Sequence, residues 1–197
     1  HKEYRRQRQM CIRDSFQPDS LYAKSYLRDH KIEQRMYSKF ALNFDQICEL
    51  AKEADRQGIE FSSTVYSLEE AVQLSSVSNL AFIKVASMDI DNLDFLNEVC
   101  RLGLPVVISS GMASMNELES AVETCLNTGN QNLALLHCVS LYPTMPEELN
   151  LLNIVQLRGT FPGIEIGFSD HSSGVLAGAV AVALGVRLIE KHLTLDK

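Results

Sequence analysis

IEIGFSDHSSGVLAGAVAVALGVRLIEKHLTLDK, residues 164–197, decides how the rest of the chain is read. Two short strand-like runs, Ile164–Phe168 and Val186–Glu190, flank a helix-like run, Gly174–Gly185. The first strand leads into Ser169-Asp170-His171 and the second into Lys191-His192. Strand, helix and strand in this order make a parallel β-α-β unit, whose crossover is almost always right-handed. Neighbouring strands lie about 4.8 Å apart. Two imidazoles at the carboxyl ends of adjacent strands can therefore reach one ion or one substrate oxygen.

The same alternation extends upstream. Asn43 and Gln46 have the spacing of a capping box, and Phe44, Ile47, Cys48, Ala51 and Ala54 follow at helical intervals as far as Gly58. Ile59–Thr64 reads as a strand, Ser67 with Glu70 opens a helix to about Leu74, and Ala81–Ala86 reads as the next strand. A helix from about Asn92 to Gly103 precedes strand Pro105–Ser109. A helix opened by Ser114 and Glu117 and closed at Gly129 precedes strand Leu133–His137. Thr144 with Glu147 is expected to cap one more helix, to about Leu157, before the opening stretch begins.

The strands are apolar and β-branched, as in a parallel sheet covered on both faces, so the class is α/β. No glycine-rich GxGxxG turn follows any of them. Strand-helix repeats without that turn favour a (β/α)₈ barrel of the TIM type over a doubly wound nucleotide-binding sheet. A full barrel takes about 250 residues, and this chain has 197. The expectation is an incomplete barrel, about six of eight units, over residues 16–197. Residues 1–15, HKEYRRQRQMCIRDS, are basic and uncapped and read as a disordered or foreign leader, while Phe16–Phe40 reads as a long loop with a short helix.

Apolar residues make up 46% and charged residues 22%, the balance of a globular domain. A net charge of −7 without a basic stripe beyond residue 10 argues against a nucleic-acid partner. A local cluster can still hold an anionic substrate against the global sign. The five cysteines are scattered, odd in number and without a CxxC, which reads as free thiols in a reducing, cytoplasmic setting. No apolar run reaches the roughly 18 residues of a membrane span, and no signal peptide is visible.

Polar residues collect where each strand ends: Ser62-Ser63-Thr64, Lys84 to Ser87, Ser109-Ser110-Gly111, His137 to Ser140, Ser169 to His171, and Lys191-His192. In barrel enzymes that rim holds the active site. Lys84 shares a strand face with Phe82 and Ala86, and a buried ammonium needs an anionic partner; otherwise it is an edge lysine. Ser87, Ser109 and Ser169 read either as turn and cap residues or, with Lys84, as a phosphate cradle. Ser169 and His171 share a face, as do Glu190 and His192. The histidine pair reads as a metal site or an electrophilic pair. Two nitrogens leave the other positions to water and substrate, which suits Mn²⁺ or Mg²⁺ better than a closed zinc site. Asp89 is a candidate base or hydroxyl binder, or simply an acid at a helix start.

The stretches FIKVASMDIDNLDFL, PVVISSGMASMNELESAV, LLHCVSLYPTMPEELNL and IGFSDHSSGVLAGAVAVALGVRLIEKHLTLDK together resemble the sialic acid (N-acetylneuraminate) synthase family and its relatives for legionaminic and pseudaminic acids. The likeness covers roughly Phe16–Lys197. It implies a (β/α)₈ catalytic barrel that condenses phosphoenolpyruvate with an N-acylhexosamine such as N-acetylmannosamine, releases phosphate and needs Mn²⁺ or Mg²⁺. Carried over, the metal ligands are His171 and His192. The phosphoenolpyruvate contacts are Lys84, Ser87, Ser109 and Ser169, with Thr64 and the Cys138/Ser140 pair beside them. Asp89 stands where many relatives carry a sugar-contacting glutamate, and Tyr142 lies in the sugar-side loop. The resemblance also implies a homodimer in the full-length protein. Two family features find no match in this sequence: an opening EIGxNHxG-like strand and a small C-terminal antifreeze-like domain. A related synthase with another acceptor, or an inactive fragment, is the alternative expectation.

Overall fold

A computed structural model describes residues 42–193. The leader expected at 1–15 and the loop expected at 16–40 lie outside the described residues. Helix α1 is Phe44–Arg56, followed by β1 Phe61–Val65, α2 Leu68–Ser75, β2 Leu80–Val85, α3 Leu93–Arg101, β3 Val106–Ser109 and α4 Met115–Asn127. Then come β4 Leu133–Cys138, α5 Leu152–Thr160, β5 Glu165–Asp170, α6 Leu176–Ala183 and β6 Ile189–Lys191.

Helix starts follow their capping side chains. Asn43 Oδ1 accepts from Gln46 N at 2.9 Å while Gln46 Oε1 accepts from Asn43 N at 2.9 Å. Ser114 and Glu117 repeat the arrangement on α4, and such a cap contributes about 1 kcal/mol. On α2 the box is shifted: Ser67 Oγ accepts from Glu70 N, but the Glu70 carboxylate accepts from Tyr66 N at 2.8 Å. The cap expected at Thr144 is not formed. Thr144 is buried, its N–H donates to His171 O at 3.0 Å and its hydroxyl to Leu141 O at 2.8 Å. A short 3₁₀ turn, Pro146–Glu148, follows. Asn150 at φ +46° then interrupts helical geometry, so α5 starts only at Leu152. The last strand is also shorter than the expected Val186–Glu190. Val186 folds back to donate to Ala181 O, and the ladder with β5 begins at Ile189.

The six strands pair in chain order, β1-β2-β3-β4-β5-β6, and every pair is parallel. That order separates a curled barrel wall from a doubly wound sheet, whose order reverses at a switch point. The period-two alternation divides each strand between two faces. Ile83, Val85, Val106, Ile108, Leu133, Leu135, Ile166 and Phe168 pack with the helices in one apolar core. Lys84, Ser109, Cys138 and Ser169 lie at alternate positions and turn to the other face. Gly167 belongs to that inner face. A Cβ there would sit 2.4 Å from Leu136 Cδ2 and 2.7 Å from Leu188 O, so β4, β5 and the approach to β6 close up only around a glycine.

Candidate active site

The carboxyl ends of the strands surround a cavity of about 430 Å³, within the range of small-molecule sites. Every residue expected in the site lines it except Asp89: Thr64, Lys84, Ser87, Ser109, Ser140, Tyr142, Ser169, His171 and His192. Asp89 ends a 3₁₀ turn, Ser87–Asp89, and is buried.

Lys84 is held by β2 with its side chain 8% exposed. Its Nζ donates to Ser109 Oγ at 2.7 Å and to Val85 O at 3.2 Å. The anionic partner that its burial demands is Glu190, whose Oε2 lies 3.6 Å away. Burial lowers the Lys84 pKa, and Glu190 opposes that shift. Ser87 Oγ accepts from Gly111 N at 3.0 Å. A Cβ on Gly111 would lie 2.3 Å from Ser140 Oγ and 2.9 Å from Ser87 Oγ. Glycine just past β3 thus lets the β2 and β4 rims approach each other closely.

The opposite wall is built from β5 and β6. Their register pairs Ser169 with Glu190 and Asp170 with Lys191. The first pair faces inward, where Ser169 Oγ donates to Glu190 Oε1 at 2.5 Å. In the second, Lys191 Nζ donates to Asp170 Oδ2 at 2.8 Å and to Ser172 O at 2.8 Å. Burial raises the Asp170 pKa, but the Lys191 and Ser172 hydrogen bonds outweigh it and the net shift is down. One residue further on, His171 and His192 face each other across the cavity with ring centroids 5.5 Å apart. Tyr142 stacks on His171 at 4.1 Å and meets His192 edge-on at 5.6 Å. Its loop is held there by the Thr144 N–H to His171 O bond.

His171 Nδ1 lies 2.8 Å from Val139 O. A carbonyl only accepts, so Nδ1 carries the proton and the neutral ring keeps its Nε2 lone pair. Nε2 lies 3.2 Å from Ser169 Oγ. Burial lowers the His171 pKa, partly offset by the Val139 bond. Burial also pushes the Cys138 thiol up, outweighing the opposing influence of the neighbouring Ser87, Ser169 and Lys84, so this cysteine is held as a thiol rather than a thiolate nucleophile. Among the described residues no group of three or more His, Cys, Asp or Glu side chains is arranged to hold a metal ion. The two imidazoles are the ring donors this cavity offers to one.

The sequence matches the NeuB family over residues 4–197. The chain belongs to the NeuB family. N-acetylneuraminate-9-phosphate synthase of Drosophila melanogaster is 36% identical over 200 residues, which covers 95% of this chain and 52% of the fly protein. N,N'-diacetyllegionaminic acid synthase of Campylobacter jejuni is 37% identical over 165 residues, covering 83% of this chain and 49% of its own length. Among solved structures, N-acetylneuraminic acid synthetase from Leptospira borgpetersenii, in complex with citrate, superposes with a TM-score of 0.82 at 31% identity. That match covers 88% of this chain and 60% of the other. The NeuB-family chain described here spans about half the length of these curated relatives.

Two features of this NeuB-family cavity escape a reading of the sequence as separate motifs. Glu190 sits inside the lysine-serine cluster, and Asp170 with Lys191 ties the two histidine-bearing strands together. The signal for Glu190 was its parity with His192. Parity alone does not say which strand faces it.

Proposed function

We propose that the protein is a synthase that condenses phosphoenolpyruvate with an N-acylhexosamine of the N-acetylmannosamine type, giving a sialic acid-like nonulosonic acid and phosphate. The observation that carries this reading is one cavity walled by a lysine-serine cluster on one side and two facing imidazoles on the other. Family membership supports the same chemistry. The Campylobacter relative makes a related acid the alternative product, and a pseudaminic acid-type product remains within the same class.

Lys84, with Ser109 beside it, holds the phosphate and stabilises charge as it develops there. Ser87, Thr64 and Ser140 line the same side. Tyr142 offers an aromatic face to the sugar; Asp89, buried outside the cavity lining, is not assigned a contact with it. The enol carbon of phosphoenolpyruvate bonds to the aldehyde carbon of the open-chain sugar, water adds at the neighbouring carbon, and phosphate leaves from the tetrahedral intermediate. His171 and His192 fit a divalent ion, Mn²⁺ or Mg²⁺, because the Val139 carbonyl fixes the first ring in the ligating tautomer. Such an ion supplies Lewis acidity at the aldehyde oxygen. The working protein is proposed to be a cytoplasmic homodimer. Among the described residues no helix is long and apolar enough to cross a membrane.

The test is phosphate release by the full-length protein with Mn²⁺, phosphoenolpyruvate and a panel of N-acylated hexosamines, free and phosphorylated, with products separated chromatographically. Acceptor-dependent release with a matching nine-carbon acid is expected. No release with any acceptor overturns the reading.

A further inference from the structure

The anion cluster contains a carboxylate of its own. Ser169 has one hydroxyl proton, and Glu190 Oε1 takes it at 2.5 Å, the length of a charge-assisted O–H···O⁻ bond. That proton is unavailable to a phosphate oxygen while the bond is made. Lys84 Nζ spends two of its donors on Ser109 Oγ and Val85 O, and Glu190 Oε2 lies 3.6 Å from it. The Glu190 side chain is 45% exposed, so water can solvate its carboxylate once a ligand displaces it. Lys191, its chain neighbour, also lines the cavity but gives its Nζ to Asp170 Oδ2 and Ser172 O.

We propose that Glu190 is a built-in competitor for the anion pocket and a determinant of its specificity. A ligand enters by displacing the Glu190 carboxylate from Ser169 and from the field of Lys84. A monoanion replaces one negative charge by another and gains little. A phosphate dianion that also carries a carboxylate gains the difference. Glu190 thereby selects multiply charged phosphate esters over the simple carboxylates that an unguarded lysine-serine cluster would hold. This rests on the proposed anion pocket.

Titration calorimetry on the metal-free full-length protein tests it, with phosphoenolpyruvate, inorganic phosphate and acetate as the probes. Glu190→Gln keeps the shape and removes the charge. It is expected to bind phosphoenolpyruvate about tenfold more tightly than wild type, a difference of about 1.4 kcal/mol, and to acquire measurable acetate binding. Equal or weaker phosphoenolpyruvate binding by a variant with an unchanged melting temperature overturns the proposal and leaves Glu190 as a support for Ser169. If Gln does not fold, Glu190→Ala is compared in the same way. Absence of binding to phosphoenolpyruvate and phosphate in wild type and variants alike overturns the anion pocket itself.

Discussion

His137 and His171 stand near the ends of neighbouring strands and differ in which face of the sheet they occupy. His137 points to the helices, is buried against Phe168 with ring centroids 5.9 Å apart, and its Nε2 lies 2.8 Å from Leu149 O. His171 points to the cavity, and its Nε2 faces Ser169 and the space beyond. Burial lowers both pKa values. On the helix side Nε2 is spent on holding the loop that carries Leu149. On the cavity side one nitrogen fixes the ring and the other is offered to a ligand. The face of the sheet, more than the residue type, separates a histidine packed into the core from one that lines the cavity.

That contrast can be broken experimentally. His171→Ala should reduce metal-dependent turnover by about 10³-fold, because Lewis-acid stabilisation is worth several kcal/mol, while leaving the melting temperature nearly unchanged. Steady-state kinetics beside thermal melts would show it, and unchanged turnover rejects the metal assignment. Phe168→Ala, on the opposite face of the same strand, should do the reverse. Phe168 is fully buried, and its truncation should cost about 3 kcal/mol or more of stability by denaturant titration.

Lys84→Met should raise KM for phosphoenolpyruvate about 10- to 100-fold, the range of a lost hydrogen bond to a charged group. A change confined to the acceptor KM would move Lys84 to the sugar side. The smallest effect belongs to His137. Its folded pKa lies below the unfolded value of about 6.5, so below that pH the unfolded chain binds a proton that the native ring refuses. Stability is therefore complete above about pH 6.5 and falls as pH drops toward the folded pKa. In His137→Gln the part of that loss owed to this ring should vanish, which melts between pH 7.5 and 5.5 would reveal.

Much of this was legible in the chain itself. Period-two strands, capping boxes at Asn43 and Ser114, and the absence of a GxGxxG turn fixed the order and class of the elements, because these are local properties of backbone and side chain. Polar strand ends marked Thr64, Lys84, Ser87, Ser109, Cys138, Ser140, Ser169, His171, Lys191 and His192, which all line the cavity, whereas Tyr142 came from the family resemblance. Thr144 was misread because a serine- or threonine-to-glutamate spacing looks the same whether a helix follows or, as here, a left-handed Asn150 interrupts it.

Only the tertiary fold decided three things. It set Glu190 against both Ser169 and Lys84, it locked Asp170 to Lys191, and it aimed Nδ1 of His171 at Val139 O rather than into the cavity. Each depends on the register between strands separated by a whole helix. Sequence sets parity along one strand, whereas distances across the barrel are set by how the helices pack outside it.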